Sequence, residues 1–132
     1  MLLADLDGFK VVNDTLGHAE GDRVLAEFAT RLQDAAEGGA VGRLGGDEFL
    51  VVWTVPPDPD ELAARVGAIA VTNVDRQRTP ALRITASVGT AVSPGGVSPS
   101  TLLECADHRL YEAKADRLEA AQVGDVLSTP IA

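Results

Sequence analysis

The chain has 132 residues, 45% apolar and 23% charged, the make-up of one globular domain able to fill a core. No apolar run approaches the ~20 residues of a membrane helix, and the first residues, Met1-Leu2-Leu3-Ala4-Asp5, lack the basic and apolar regions of a signal peptide. Net charge is −9, which repels a nucleic-acid backbone, and no basic stripe offsets it.

Leu2 to Leu6 is short and apolar and reads as a buried strand. Asp7-Gly8 turns the chain. Residues 8–16 read as a short helix with Phe9, Val12 and Leu16 on one side, ended by Gly17. A longer helix follows over 19–37, where Val24, Leu25, Phe28, Ala29 and Leu32 recur at helical spacing. Gly38-Gly39 ends it. Ala40–Leu44 and Phe49–Trp53 flank Gly45-Gly46-Asp47-Glu48, a hairpin signal. Pro56-Pro57-Asp58-Pro59 reads as a loop, 60–72 as a helix with Leu62, Val66, Ile69 and Ala70 inward, and 73–80 as a loop. Leu82–Val92 alternates as a strand. Ser98 or Ser100 caps a last helix that runs to about residue 117, packed through Leu103, Ala106, Leu110 and Ala113.

Cys105, the only cysteine, falls in that apolar pattern and reads as packing. Alone it makes neither an internal disulfide nor a multi-cysteine zinc site, so a reducing, cytoplasmic setting is expected. The pattern weakens after residue 118. We therefore expect one domain over 1–120 and a tail over 121–132. The order β-α-α-β-β-α-β-α predicts an α+β domain, a mixed sheet covered by helices.

Two acidic clusters carry the chemistry: Asp5-Leu6-Asp7 at a strand end and Asp47-Glu48 at the hairpin tip. Ligands in such sheets sit at strand ends. If the hairpin lies beside the first strand, Asp5 and Asp47 face each other and repel unless a cation sits between them. Magnesium takes a few carboxylates, waters and substrate phosphates, the arrangement that two-metal phosphoryl or nucleotidyl transfer uses. Each residue also has a plain reading. Asp7 precedes a helix and reads as its N-cap. Gly45-Gly46 alone is a hairpin turn, though glycine also lets a phosphate approach the backbone. Lys10, Asn13, His18 and Asp22 are, singly, ordinary polar helix residues.

Jointly the pattern is specific. Asp5-x-Asp7-x-Phe9-Lys10-x-x-Asn13-Asp14-x-x-Gly17-His18-x-x-Gly21-Asp22, then Arg43-x-Gly45-Gly46-Asp47-Glu48-Phe49, resembles the GGDEF family of diguanylate cyclases. Ile84-Thr85-Ala86-Ser87-Val88-Gly89 and Ala106-Asp107-x-x-Leu110-Tyr111-x-Ala113-Lys114 fit that family's later segments, so the resemblance spans roughly residues 2–117. It implies a palm-like fold shared with class III nucleotide cyclases, with the antiparallel hairpin carrying the GGDEF turn. It implies that Asp5, Asp47 and the Leu6 carbonyl bind metal, two Mg2+ or Mn2+ per active site, with Glu48 in support. Asp47 also takes part in activating the attacking hydroxyl. Lys10 lies near the phosphates, Gly45 and Gly46 let them approach, and Lys114 reaches the terminal ones. Asn13 and Asp22 read the guanine edge, and His18 lies beside the nucleotide.

The implied reaction condenses two GTP into cyclic di-GMP and pyrophosphate. It needs two domains facing across a two-fold axis, with neither nucleic acid nor membrane as partner. The alternatives are a non-catalytic GTP-binding or interaction module, or a related nucleotide enzyme with another product. The chain departs from the family pattern in four ways. It begins at the first strand, without the family's preceding helix, and no upstream sensor domain is present. After Lys114 the usual Gly-Arg-Asn turn is replaced by Ala115-Asp116-Arg117-Leu118, where Arg117 stands in for the phosphate-holding arginine one position early. The Arg-x-x-Asp product-inhibition pair falls on Ala36 and Gly39, so inhibition of that type is not expected.

Overall fold

In the computed structural model, which describes residues 1–55, 58–72 and 82–128, the elements follow the sequence order closely. They are β1 (Leu2–Asp7), α1 (Phe9–Leu16), α2 (His18–Ala35), β2 (Ala40–Gly45), β3 (Glu48–Val52), α3 (Pro59–Gly67), β4 (Val71–Thr72), β5 (Arg83–Thr90) and α4 (Pro99–Ser128). The sheet has five strands in the order β2-β3-β1-β5-β4. The class is α+β as expected. Within the sheet, every described pairing is antiparallel. The β2–β3 hairpin inserts β3 against β1, so β2 runs parallel to β1 without touching it.

The period of two along β1 sorts its side chains to two faces. Leu2, Ala4 and Leu6 enter the main core with Val12, Val24, Phe28, Leu32, Phe49 and Val51. Phe28 and Phe49 meet with ring centroids 5.2 Å apart. The odd positions face α4. Leu3 packs there with Ala91, Ala106 and Leu110, and Asp5 and Asp7 follow it along the strand. Gly89 brings the helix close: a Cβ there would stand 2.1 Å from the Ala106 carbonyl oxygen and 2.4 Å from the Leu110 nitrogen. Only glycine lets the helix backbone settle on β5 at that depth.

Three local expectations change. The helix expected over 60–72 ends at Gly67, and the chain returns as β4, pairing Val71 with Ile84. Asp58 caps α3, accepting from the Asp60 and Glu61 amides, and Pro59 fills its first turn, where no N–H is needed. In α4, Leu103 is 37% exposed and Cys105 is exposed, while Leu102 packs. The buried stripe is Leu102, Ala106, Leu110, a step of four, which puts positions 103 and 105 off the seam. Ser98 caps α4 by accepting from the Thr101 amide at 3.2 Å. The helix runs past residue 117 to Ser128. Pro56, Pro57, the loop over 73–80 and the end of the tail, 129–132, lie outside the described residues. No helix among the described residues is long and apolar enough to cross a membrane.

Candidate active site

The hairpin tip is bent to meet β1. Gly45 and Gly46 take φ of +148° and +53°, values that L side chains rarely adopt. A register shift between Arg43 and Gly45 marks a bulge, and the Arg43 Nε donates to the Gly46 carbonyl at 2.9 Å, bracing the turn. The turn is tied to β1 where the Leu6 N–H donates to the Asp47 carbonyl at 3.1 Å. Asp5 and Glu48 stand opposite each other in the β1–β3 register.

A cleft of about 360 Å³ opens there, lined by Asp5, Asp7, Asp47, Lys114 and Arg117 among others. Asp5 is 8% exposed. Burial, then the negative charge of Asp5 and a hydrogen bond shared with it, holds the Asp47 carboxyl above the usual carboxylate range; Lys114 pulls the other way. Lys114 Nζ donates to Asp5 Oδ2 at 2.5 Å. Burial works against the Lys114 ammonium. The bond to Asp5 and the charges of Asp5, Asp7 and Asp47 outweigh it, and its pKa is raised.

Asp7 is not the N-cap that its place before a helix suggested. Gly8 occupies that position without a side-chain bond. The odd-numbered face carries Asp7 to the α4 side, where its carboxylate accepts from the Ser87 hydroxyl, 2.9 Å from both oxygens, and from Arg117.

These donors fit a magnesium-like ion. Asp5 and Asp47 offer hard carboxylate oxygens close enough to share a hydrogen bond, and Glu48 adds a third negative charge opposite Asp5. Such a crowd of charge is relieved by a cation, a place that Lys114 fills here. Among the described residues no cluster of three or more His, Cys, Asp or Glu is built to hold a metal by itself.

A second groove of about 380 Å³ lies between α2 and the β2–β3 hairpin, lined by Asp22, Leu25, Ala29, Val41, Arg43 and Phe49 among others. Its walls are mostly apolar, with the Asp22 carboxylate, the Arg43 guanidinium and the Gln33 amide among them. Asn13 lies near Asp22, because its amide rests where a Cβ at Gly21 would stand, 1.9 Å from Oδ1. Lys10 and His18 are exposed on α1 and at the start of α2 and line neither cleft. Thus Asp5, Leu6, Asp47, Lys114 and Arg117 gather in one cleft and Asp22 lines the other, while Asn13, beside Gly21, lines neither. Thr85 and Ser87 of β5 were read in the sequence as part of a family-matching strand and given no role in the site. Their signal was a hydroxyl at alternate positions of an otherwise apolar strand.

Comparison with known proteins gives the family. The family described as "Diguanylate cyclase, GGDEF domain" matches residues 1–119. The chain is 39% identical over 126 residues to diguanylate cyclase DgcN of Escherichia coli K12, covering 90% of this chain and 30% of DgcN. It is 39% identical over 125 residues to response regulator PleD of Caulobacter vibrioides, covering 86% of this chain and 26% of PleD. The solved structure of diguanylate cyclase SiaD with its activator SiaC, from Pseudomonas aeruginosa, superposes with a TM-score of 0.70 at 37% identity, over 87% of this chain and 45% of SiaD. The chain therefore spans less than a third of the curated relatives DgcN and PleD.

Proposed function

The chain belongs to the GGDEF domain family of diguanylate cyclases, and from that premise we propose that it joins two GTP molecules into cyclic di-GMP. The 3′-hydroxyl of one GTP attacks the α-phosphate of the other. An O–P bond forms as the bond to pyrophosphate breaks, and a second attack closes the ring. One domain holds half the reactants, so two copies face each other across a two-fold axis, in a cytoplasmic setting. Holding the reactants in line contributes on the order of several kcal/mol.

Asp5, Asp47 and the Leu6 carbonyl would hold two magnesium or manganese ions, with Glu48 in support. When bound, these ions polarise the phosphate and lower the hydroxyl's pKa. Asp47 receives the hydroxyl proton. Lys10, Lys114 and Arg117 neutralise phosphate charge, and Gly45 and Gly46 let the backbone approach it. Asp22 and Asn13 read guanine. A carboxylate accepts from guanine N1–H and the 2-amino group, a pair that adenine lacks. His18 lies beside the nucleotide.

The observation that carries this reading is the convergence of two carboxylates, from a strand end and a hairpin tip, in a cleft whose other wall is cationic. The test is incubation of the chain with GTP and magnesium or manganese, followed by chromatography of the products. Cyclic di-GMP is expected. Unchanged GTP with measurable binding would indicate a binding module, and any other product a different nucleotide enzyme. Asp47→Asn should abolish turnover; full turnover in that variant would refute the assignment. Sedimentation with and without nucleotide reads the facing pair.

A further inference from the structure

Arg117 is anchored, and β5 supplies the anchor's support. On the α4 side of the sheet Asp7 stands opposite Thr85 in register, and Ser87 is its diagonal neighbour. Ser87 is 4% exposed, and its hydroxyl is committed to the Asp7 carboxylate. Arg117 donates from Nη1 alone, to Asp7 Oδ2 and, at 2.7 Å, to Thr85 Oγ1. Among the described residues its Nε and Nη2 hydrogens make no bond, and Arg117 lines the acidic cleft. A guanidinium held by one nitrogen keeps a two-pronged edge, the edge that matches two oxygens of a phosphate.

We infer that Ser87 and Thr85 are positioning residues: through Asp7 they fix Arg117 so that its Nε–Nη2 edge takes a substrate phosphate. Asp7 serves as the anchor of that arm and not as a metal ligand. The ladder runs from a buried hydroxyl to a carboxylate, a guanidinium and then the ligand. Each step but the last uses a contact already present. Asp5, two residues earlier on the same face, is engaged by a different cation, Lys114, so the two carboxylates have separate duties. An arginine without the anchor would sample many rotamers and lose freedom on binding, which weakens affinity. The inference rests on the nucleotide reading above.

A double-mutant cycle on the full chain tests it, with Ser87→Ala, Arg117→Ala and the double variant. The readouts are dissociation constants for GTP and for guanosine, which has no phosphate, together with GTP KM and kcat. Ser87→Ala should weaken GTP binding and raise KM about three- to ten-fold while leaving guanosine binding unchanged. In the Arg117→Ala background, Ser87→Ala should cost nothing further, because the two act as a unit. Arg117→Lys should not rescue, since an ammonium has no fork. A Ser87→Ala loss that persists without Arg117, or that weakens guanosine equally, would overturn the positioning role. If Ser87→Ala does not fold, Thr85→Val against Thr85→Ser makes the same comparison. If the unsubstituted chain bound neither GTP nor guanosine, the nucleotide reading itself would fall and take this inference with it.

Discussion

Asp47→Asn separates what the cleft costs from what it does. In the metal-free protein Asp47 is a liability: burial and the charge of Asp5 raise its pKa. For a carboxyl raised in the folded state, the native protein holds more protons than the unfolded chain over the window just above the ordinary carboxylate range. Stability therefore falls as pH rises through that window, and at neutral pH the full penalty is present. Two unit charges about 4 Å apart interact by about 4 kcal/mol at an effective dielectric near 20. Asp47 is half-buried, and both water and Lys114 screen it, so we reduce this to about 1 kcal/mol. The amide removes the charge and can donate to Asp5. Urea denaturation at pH 7 with chelator should show a higher midpoint at unchanged slope, a gain of about 1 kcal/mol. The gain should shrink as pH falls through that window and vanish below the ordinary carboxylate range, where the wild-type carboxyl is protonated in both states. Millimolar magnesium should stabilise the wild type and not the variant, reversing the order. A variant less stable than wild type at pH 7 in chelator, or a gain constant with pH, would refute this account.

Other substitutions address other joints. Lys114→Ala leaves Asp5 without its cation and should lower stability by about 1–2 kcal/mol in chelator; magnesium should narrow that loss, as read by thermal melts with and without the ion. Gly21→Ala sets a methyl where the Asn13 amide rests. It should hold or raise helix stability by up to ~1 kcal/mol yet weaken GTP binding about ten-fold by calorimetry, with guanosine weakened equally. Gly39→Asp meets the Trp53 indole, 2.6 Å from the new Cβ. It should cost about 2 kcal/mol by denaturation, and added cyclic di-GMP should leave initial rates unchanged with or without it. Gly89→Ala strikes helix backbone rather than a flexible side chain. It should cost about 3 kcal/mol and lower GTP affinity together, because α4 carries Lys114 and Arg117.

Much of this was legible in the sequence because the signals were local. The hairpin announced itself through Gly45-Gly46 between apolar runs, and α2 through Val24, Leu25, Phe28 and Leu32, all of which are buried. The end of α3 was missed because Ile69, Ala70 and Val71 continue its apolar run. Val71 belongs instead to a short β-strand whose partner, Ile84, lies elsewhere in the chain. In α4, Leu102 and Leu103 are adjacent, and only the approach of the helix at Gly89 selects the stripe through Leu102, Ala106 and Leu110.

The site was half legible for a related reason. The acidic motifs could be read, but the ties that complete the cleft join residues far apart in the chain: Asp5 to Lys114, and Asp7 to Ser87 and Arg117. Alternation along β1 was enough to predict that Asp5 and Asp7 share a face. The plain reading of Asp7 as a cap weighed its neighbour Gly8 and not its phase. Continued down α4, the stripe Ala106, Leu110, Lys114 and Arg117 steps by four, four and three, and stays on one side of the helix. It passes from apolar to cationic where β1 passes from Leu3 to Asp5 and Asp7. One helix face thus closes the minor core at one end and balances the acidic cleft at the other. The depth of α4 at Gly89 therefore sets how far its cations reach.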